Sequence, residues 1–120
     1  MKRTGPTNYI IRKTIRELIK ASNKHKAKIW KYIAELLMKP SRKRVAVNIS
    51  KIRRYTKPGD IVVVPGRVLG AGSISHSVTV AALAFSNSAI EKIKAANGRV
   101  MHILELVKER PKGSEVKIII

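Results

Sequence analysis

The chain contains no cysteine, which excludes disulfides, thiolate metal sites and a cysteine nucleophile. Aromatic residues are scarce, with three Tyr, one Trp and one Phe, and the exposed aromatics of an RRM-type single-strand RNA reader are missing. Acids are few as well, 7 against 26 Lys and Arg, and Asp60 is the only aspartate. Paired carboxylates for acid–base chemistry are therefore hard to assemble, and Glu105 and Glu109 have the i,i+4 spacing of a solvated helical face. Long apolar runs are absent too. The longest, Val78 to Phe85, falls far short of the roughly 18 residues of a membrane helix. The opening Met1-Lys2-Arg3-Thr4-Gly5-Pro6 has the charge of a signal peptide, but Ile10-Ile11 runs straight into Arg12-Lys13, so no apolar region follows. A soluble intracellular protein with no membrane partner is expected.

What the chain does have is positive charge, a formal +19 in 120 residues. Self-repulsion of that size works against a compact state, so a polyanion is expected to neutralise it. Disorder is not expected, because 44% hydrophobic residues exceed the low-hydrophobicity regime of disordered segments. One domain, 1–120, is predicted, and the charge divides it. Residues 1–58 hold 18 Lys and Arg against Glu17 and Glu35, a net +16, whereas residues 59–120 hold 8 against 5, a net +3. The first stretch reads as a basic, mostly helical binding region and the second as an α/β core.

Periodicity predicts a helix over about Asn8 to Asn23, with Asn8 as N-cap. At about 100° per residue, Ile11, Ile15, Leu18 and Ile19 share one arc, while Arg12, Lys13, Arg16, Lys20 and Lys24 share the next. A solvated face usually mixes signs at i,i+4; here Glu17 sits only at the edge of the basic arc. A second helix is predicted over about Ala27 to Lys39, ended by Pro40. Its apolar arc of Ile29, Trp30, Ile33, Leu36 and Leu37 makes Trp30 a core residue, with Lys28 and Lys31 opposite. Val45–Val47 reads as a short strand, with Asn48 capping a short helix through Tyr55, and Lys57-Pro58-Gly59-Asp60 reads as a turn.

Beyond that turn the pattern changes to short β-branched runs. Ile61–Val64 is stopped by Pro65-Gly66, Arg67–Leu69 follows, and Val78–Phe85 is another unbroken run. Unbroken runs suit strands covered on both faces, although the alanines of the second run leave a helix open. Ser88-Ala89-Ile90-Glu91 has the form of a capping box opening a helix that Asn97-Gly98 closes. Arg99–Ile103 reads as a strand, Leu104–Arg110 as a helix and Glu115–Ile120 as a last strand. The alternation predicts a layered α/β fold.

No motif here supports an enzyme. The glycines of Gly66-Arg67-Val68-Leu69-Gly70-Ala71-Gly72 lack the Lys-Ser/Thr of a P-loop and the helix and distant acid of a dinucleotide site. They suit turns, or close approach of the backbone to RNA phosphate. His25, His76 and His102 lack partners at metal-ligand spacing. Ser73, Ser75, His76 and Ser77 have no nucleophile-elbow context. No cofactor, metal or small-molecule substrate is expected. The excess of Lys over Arg suits phosphate neutralisation more than base reading, so a folded RNA read by shape and backbone is the expected partner. A DNA-compacting protein that uses the first two helices as a helix-turn-helix is the rival. Tyr55, beside Arg53-Arg54, is the aromatic best placed to stack on a base.

Several blocks, taken in order, resemble a known family. They are Leu37-Met38-Lys39-Pro40-Ser41-Arg42-Lys43-Arg44, Val47-Asn48-Ile49-Ser50-Lys51-Ile52, Arg54-Tyr55-Thr56-Lys57 with Gly59-Asp60, and Val64-Pro65-Gly66 with Val68-Leu69-Gly70. Val78-Thr79-Val80-Ala81-Ala82, Phe85-Ser86 and Pro111-Lys112-Gly113-Ser114 complete the set. Over essentially its whole length the chain resembles the large-subunit ribosomal protein L-eighteen-e family of archaea and eukaryotes, relatives of bacterial L-fifteen, and its short length is similar to archaeal members. Pro58 and Ala96-Asn97-Gly98 depart locally from the family pattern, both in turns. The resemblance implies an irregular β-β-α core and a structural role in the cytoplasmic ribosome, with large-subunit rRNA and neighbouring ribosomal proteins as partners. The expected RNA-binding residues are Lys2, Arg3, Arg12, Lys13, Arg16, Lys20, Lys24, Lys26, Lys28, Lys31, Arg42, Lys43, Arg44, Lys51, Arg53, Arg54, Tyr55, Lys57 and Arg67.

Overall fold

In the computed structural model of the chain, residues 9–38 and 45–120 are described. In chain order the elements are α1 (Tyr9–His25), α2 (Lys28–Leu37), β1 (Val45–Asn48), α3 (Ile49–Tyr55), β2 (Asp60–Leu69), β3 (Val78–Phe85), α4 (Asn87–Ala95), β4 (Arg99–His102), α5 (Ile103–Glu109) and β5 (Val116–Ile118). The α/β class is the one the alternation predicts. Contacts gather into two compact units: a helical unit of the described residues up to 38 with Leu104–Ser114, and a sheet unit of Val45–Ile103 with Glu115–Ile120. Segment 45–58, grouped with the basic region by charge alone, thus belongs to the sheet unit.

In the helical unit, α1 and α2 pack together along the predicted arcs. Ile15 and Leu18 are buried and Ile11 and Ile19 half-buried; on α2, Trp30, Ile33, Ala34, Leu36 and Leu37 are buried. Thr14 is fully buried in the α1 face, and its hydroxyl donates to the Ile10 carbonyl at 2.7 Å, so its burial leaves no unmet donor. Between the helices Lys26 adopts φ 56°, and the Ala27 N–H reaches the Ser22 carbonyl at 3.1 Å. A left-handed residue closes α1 there, a position that glycine usually takes. The core reading of Trp30 is correct: its ring is fully buried, and its indole N–H donates to the Pro111 carbonyl at 2.7 Å. Asn8, Lys39 and Pro40, expected at helix ends, lie outside the described residues.

The sheet unit is built on a parallel sheet in which β1, β2, β3 and β4 lie side by side and β5 joins β2. β1 and β5 pair with different stretches of β2, Gly66–Leu69 and Ile61–Val63 respectively. The stop predicted at Pro65-Gly66 is wrong, because β2 runs through both residues. Pro65 has no N–H to give a ladder. It falls between the stretches paired with β5 and β1, and within the register shift from Val64 to Arg67 against β3. Gly66 lies opposite Val45, where any Cβ would overlap the Val45 carbonyl.

Consecutive valines are buried because both faces of β2 are covered, Val62 and Val64 on one and Val63 on the other. Val62, Val64, Val78, Val80 and Ala82 share a core with Ile49 and Ile52 of α3 and Ala89 and Ile93 of α4. Residues 70–77 return the chain from the end of β2 to the start of β3. Nine Cα steps must recross a strand of about 30 Å, so the connection is nearly fully extended and has no slack for a helix.

Two caps differ from expectation. α4 begins at Asn87, with Ser86 as N-cap accepting from the Ala89 N–H at 3.2 Å, so the box at Ser88 is not the one used. The Ser86 N–H is still tied to the Val68 carbonyl of β2 at 3.0 Å, and the helix starts as soon as the sheet releases the chain. Asn48 holds the N-cap position of α3 without a side-chain cap bond. The Ala71 carbonyl meets the Ser50 N–H instead, at 3.1 Å. Asn97-Gly98 closes α4 as expected: Asn97 at φ 64° lets the Gly98 N–H reach Ile93 and its own N–H reach Lys94, both at 2.9 Å.

Candidate nucleic-acid interface

Packing α1 by its apolar arc sets the orientation of its cations. Arg12, Lys13, Arg16, Lys20 and Lys24 are all exposed, away from buried Thr14, Ile15, Leu18 and Ala21. Arg12, Arg16, Lys20 and Lys24 recur every fourth residue, so positive charge advances about 6 Å per step along about 18 Å of helix. Lys20 meets the Glu17 carboxylate at 3.7 Å, an exposed pair that hardly offsets the stripe in water. Lys26 in the turn and Lys28 and Lys31 on the outer face of α2 are also exposed. Lys2, Arg3, Arg42, Lys43 and Arg44 lie outside the described residues.

The remaining expected residues belong to the sheet unit. α3 buries Ile49 and Ile52 and exposes Arg53, Arg54 and Tyr55. The Arg54 guanidinium carbon lies 5.9 Å from the Tyr55 ring centroid, within cation–π range, and the ring keeps 55% of its surface exposed. Lys57 is exposed, as is Arg67, which stands between in-register Ala46 and Ala84, both exposed themselves. Lys51 differs: it is half-buried, and its ammonium donates to the Ile120 oxygen.

Two further lysines are tied to the chain itself. Lys92 donates to the Gly70 and Gly72 carbonyls at 2.6 and 2.7 Å. Gly72, at φ +100°, lies so close to Ser50 that an added Cβ would sit 2.8 Å from its backbone nitrogen. The glycine-rich stretch is therefore a clamp joining α3 and α4, with its carbonyls committed to the protein. Lys117 reaches the Asp60 carboxylate at 2.8 Å, and the Lys57 N–H reaches the same oxygen at 2.8 Å. The Lys117 hydrogen bond, then the Lys57 N–H, hold the Asp60 carboxyl below its ordinary 3.8. His76 is also a structural group. The Thr56 hydroxyl gives its proton to the Ile52 carbonyl at 2.7 Å, so at 2.8 Å it accepts from His76 Nε2.

Sequence reasoning missed one cationic cluster. His25, Arg110, Pro111, Lys112 and Ser114 line a shallow depression in the helical unit, residues 25 and 110–114 meeting across the sequence. The turn residues Pro111-Lys112-Gly113-Ser114 were the only local signal. Among the described residues no three His, Asp or Glu side chains gather as metal ligands.

A family model described as "Ribosomal proteins 50S-L15, 50S-L18e, 60S-L27A" matches residues 27–101. The protein of Methanococcus maripaludis called large ribosomal subunit protein eL18 is 48% identical over 118 residues, covering 98% of each chain. The protein of that name from Sulfurisphaera tokodaii is 51% identical over 107 residues, 89% of this chain and 87% of its own. That of Archaeoglobus fulgidus is 52% identical over 103 residues, 86% of this chain and 88% of its own.

Proposed function

Because the chain belongs to the family of ribosomal proteins 50S-L15, 50S-L18e and 60S-L27A, we propose that it binds large-subunit rRNA mainly through phosphate contacts. The family makes it a structural constituent of the large ribosomal subunit, acting in translation in the cytoplasm, and not an enzyme. Its partners are rRNA and neighbouring large-subunit proteins. The observation that carries the finer reading is the exposed basic stripe of α1, five cations on the face turned away from the packed side. Arg53, Arg54, Tyr55, Lys57 and Arg67 supply a second set of contacts, with Lys26, Lys28 and Lys31 extending the first. Lys2, Arg3, Arg42, Lys43, Arg44 and Lys51 complete the reading on charge alone.

Each phosphate neutralised by Lys or Arg releases condensed counterions, so affinity falls with salt. With about six to ten phosphate contacts, affinity for deproteinised large-subunit rRNA drops about 10³- to 10⁵-fold between about 50 and 200 mM salt. An affinity indifferent to salt would refute the electrostatic mechanism. In a sucrose gradient the chain travels with large subunits. Better binding to duplex DNA, without that co-sedimentation, would favour the chromosomal-protein alternative instead.

A further inference from the structure

We propose that a depression between α3 and β5 takes one unstacked base of the rRNA onto the ring of Tyr55, an inference that rests on the rRNA-binding reading. The depression lies wholly within the sheet unit, has a volume of about 490 Å³ and is lined by Lys51, Tyr55, Lys117, Ile118, Ile119 and Ile120. That volume falls in the range of pockets that take small ring-bearing ligands. Tyr55, Ile118 and Ile120 give it an apolar wall, and Tyr55 and Ile120 keep 55% and 48% of their surface exposed. Exposed apolar groups gathered in one depression mark a binding surface, whereas scattered ones do not.

The chemistry inside separates a base from a phosphate. The Lys51 ammonium donates to the Ile120 oxygen, and Lys117 meets the Asp60 carboxylate at 2.8 Å and the Tyr55 carbonyl at 3.5 Å. Both lysines are thus committed to the protein's own oxygens and are not spare for an anion. Their bonds tie α3 to β5 and to Ile120, and the Ile119 N–H is held by the Val63 carbonyl at 3.1 Å. Walls set in place beforehand lose little freedom when a ligand enters. Every base has a flat π face, so stacking on an aromatic ring needs no particular base. The Arg54 guanidinium, 5.9 Å from the ring centroid, covers one face of Tyr55 and leaves the other for a base. Exposed Arg53, Arg54 and Lys57 supply charge for the phosphates on either side of that nucleotide. This charge selects RNA over an apolar protein segment as the occupant.

The test measures affinity of the full chain for deproteinised large-subunit rRNA against salt concentration, with thermal melting of each variant as the check on folding. Tyr55→Ala is expected to weaken binding about 5- to 150-fold, the span that stacking of one base covers. Its salt slope should stay unchanged, because no phosphate contact is lost. Tyr55→Phe keeps the ring and should bind within about twofold of the unaltered chain. Ile120→Ala, on the opposite wall, should weaken binding about threefold or more, again with the slope unchanged. A loss confined to Tyr55→Ala, with Ile120→Ala binding normally, would place the stacking outside the depression and overturn the proposal. So would a fall in salt slope with Tyr55→Ala that accounts for its whole loss of affinity. Normal binding by both alanine variants, while Arg12→Ala with Arg16→Ala still weakens it, would remove the base site and leave the broader reading standing. If the Arg12 and Arg16 pair also has no effect, the RNA-binding reading itself fails. Should Tyr55→Ala bind rRNA normally yet dissociate more readily from whole large subunits, a protein neighbour covers the depression and the base proposal is wrong.

Discussion

The described residues of the helical unit carry 11 Lys and Arg against 4 acids, and the sheet unit 9 against 3. The larger difference between them lies in what those cations do. On α1 they line the outside of a helix whose other face is packed, and Glu17 at 3.7 Å from Lys20 is a weak counterweight. In the sheet unit Lys51, Lys92 and Lys117 are bonded to the protein's own oxygens, two of them holding a backbone turn or carboxylate in place. Some basic residues are thus fold elements while those of α1 stay exposed, and a count of charges does not separate the two.

The comparison breaks most visibly on α1. Replacing Arg12, Arg16 and Lys20 together by Glu is expected to reduce rRNA affinity by at least about 10³-fold, at about 1.5 kcal/mol or more per charge-assisted contact. The salt slope should fall by about 3, while thermal melting of the free chain stays nearly unchanged. A loss of melting temperature matching the loss of binding would show that the stripe is structural. Lys92→Met should do the opposite. Two charge-assisted bonds to Gly70 and Gly72 disappear, costing about 1–3 kcal/mol in denaturant unfolding, with rRNA affinity at low temperature little altered. Normal stability with weakened RNA binding would move Lys92 to the other side of the comparison.

The smallest effect concerns Asp60. Its carboxyl is held below 3.8 in the folded chain by Lys117 and the Lys57 N–H. The lowered value means that folding favours the ionised form, so its stabilisation is complete above the unfolded pKa and is lost as pH falls through the folded one. Asp60→Asn should therefore flatten the decline of melting temperature below about pH 4 and lower stability slightly at neutral pH. An unchanged acid profile would show that the Lys117 pair is inert in solution.

Local pattern carried the helices and strands well, because burial on α1, α2, β2 and β3 follows period and β-branching. Even the burial of Trp30 follows from its place in an apolar arc. Long-range chemistry was hidden. Pro65 looked like a stop because no local signal tells that it lies between two partner strands on one edge and within a register shift on the other. Nothing local favours Ser86 over Ser88 as cap, because the tie of Ser86 to Val68 is made by the sheet. The role of Lys92 depends on carbonyls 20 and 22 residues away. On the interface, helical phase foretold the exposure of the α1 cations, but it could not bring His25 beside Lys112, since nothing local links them.

The pairing of β5 with β2 also has a consequence in time. Val116 lies beside Ile61 in register, yet a translating ribosome delivers it about 55 residues later, about 3–11 s at ordinary elongation rates. Until then the first half of one β2 edge has no strand to bond, while α1 and α2, close together in sequence, can already pair. The two cationic helices can therefore pair before the last strand of the sheet has been made.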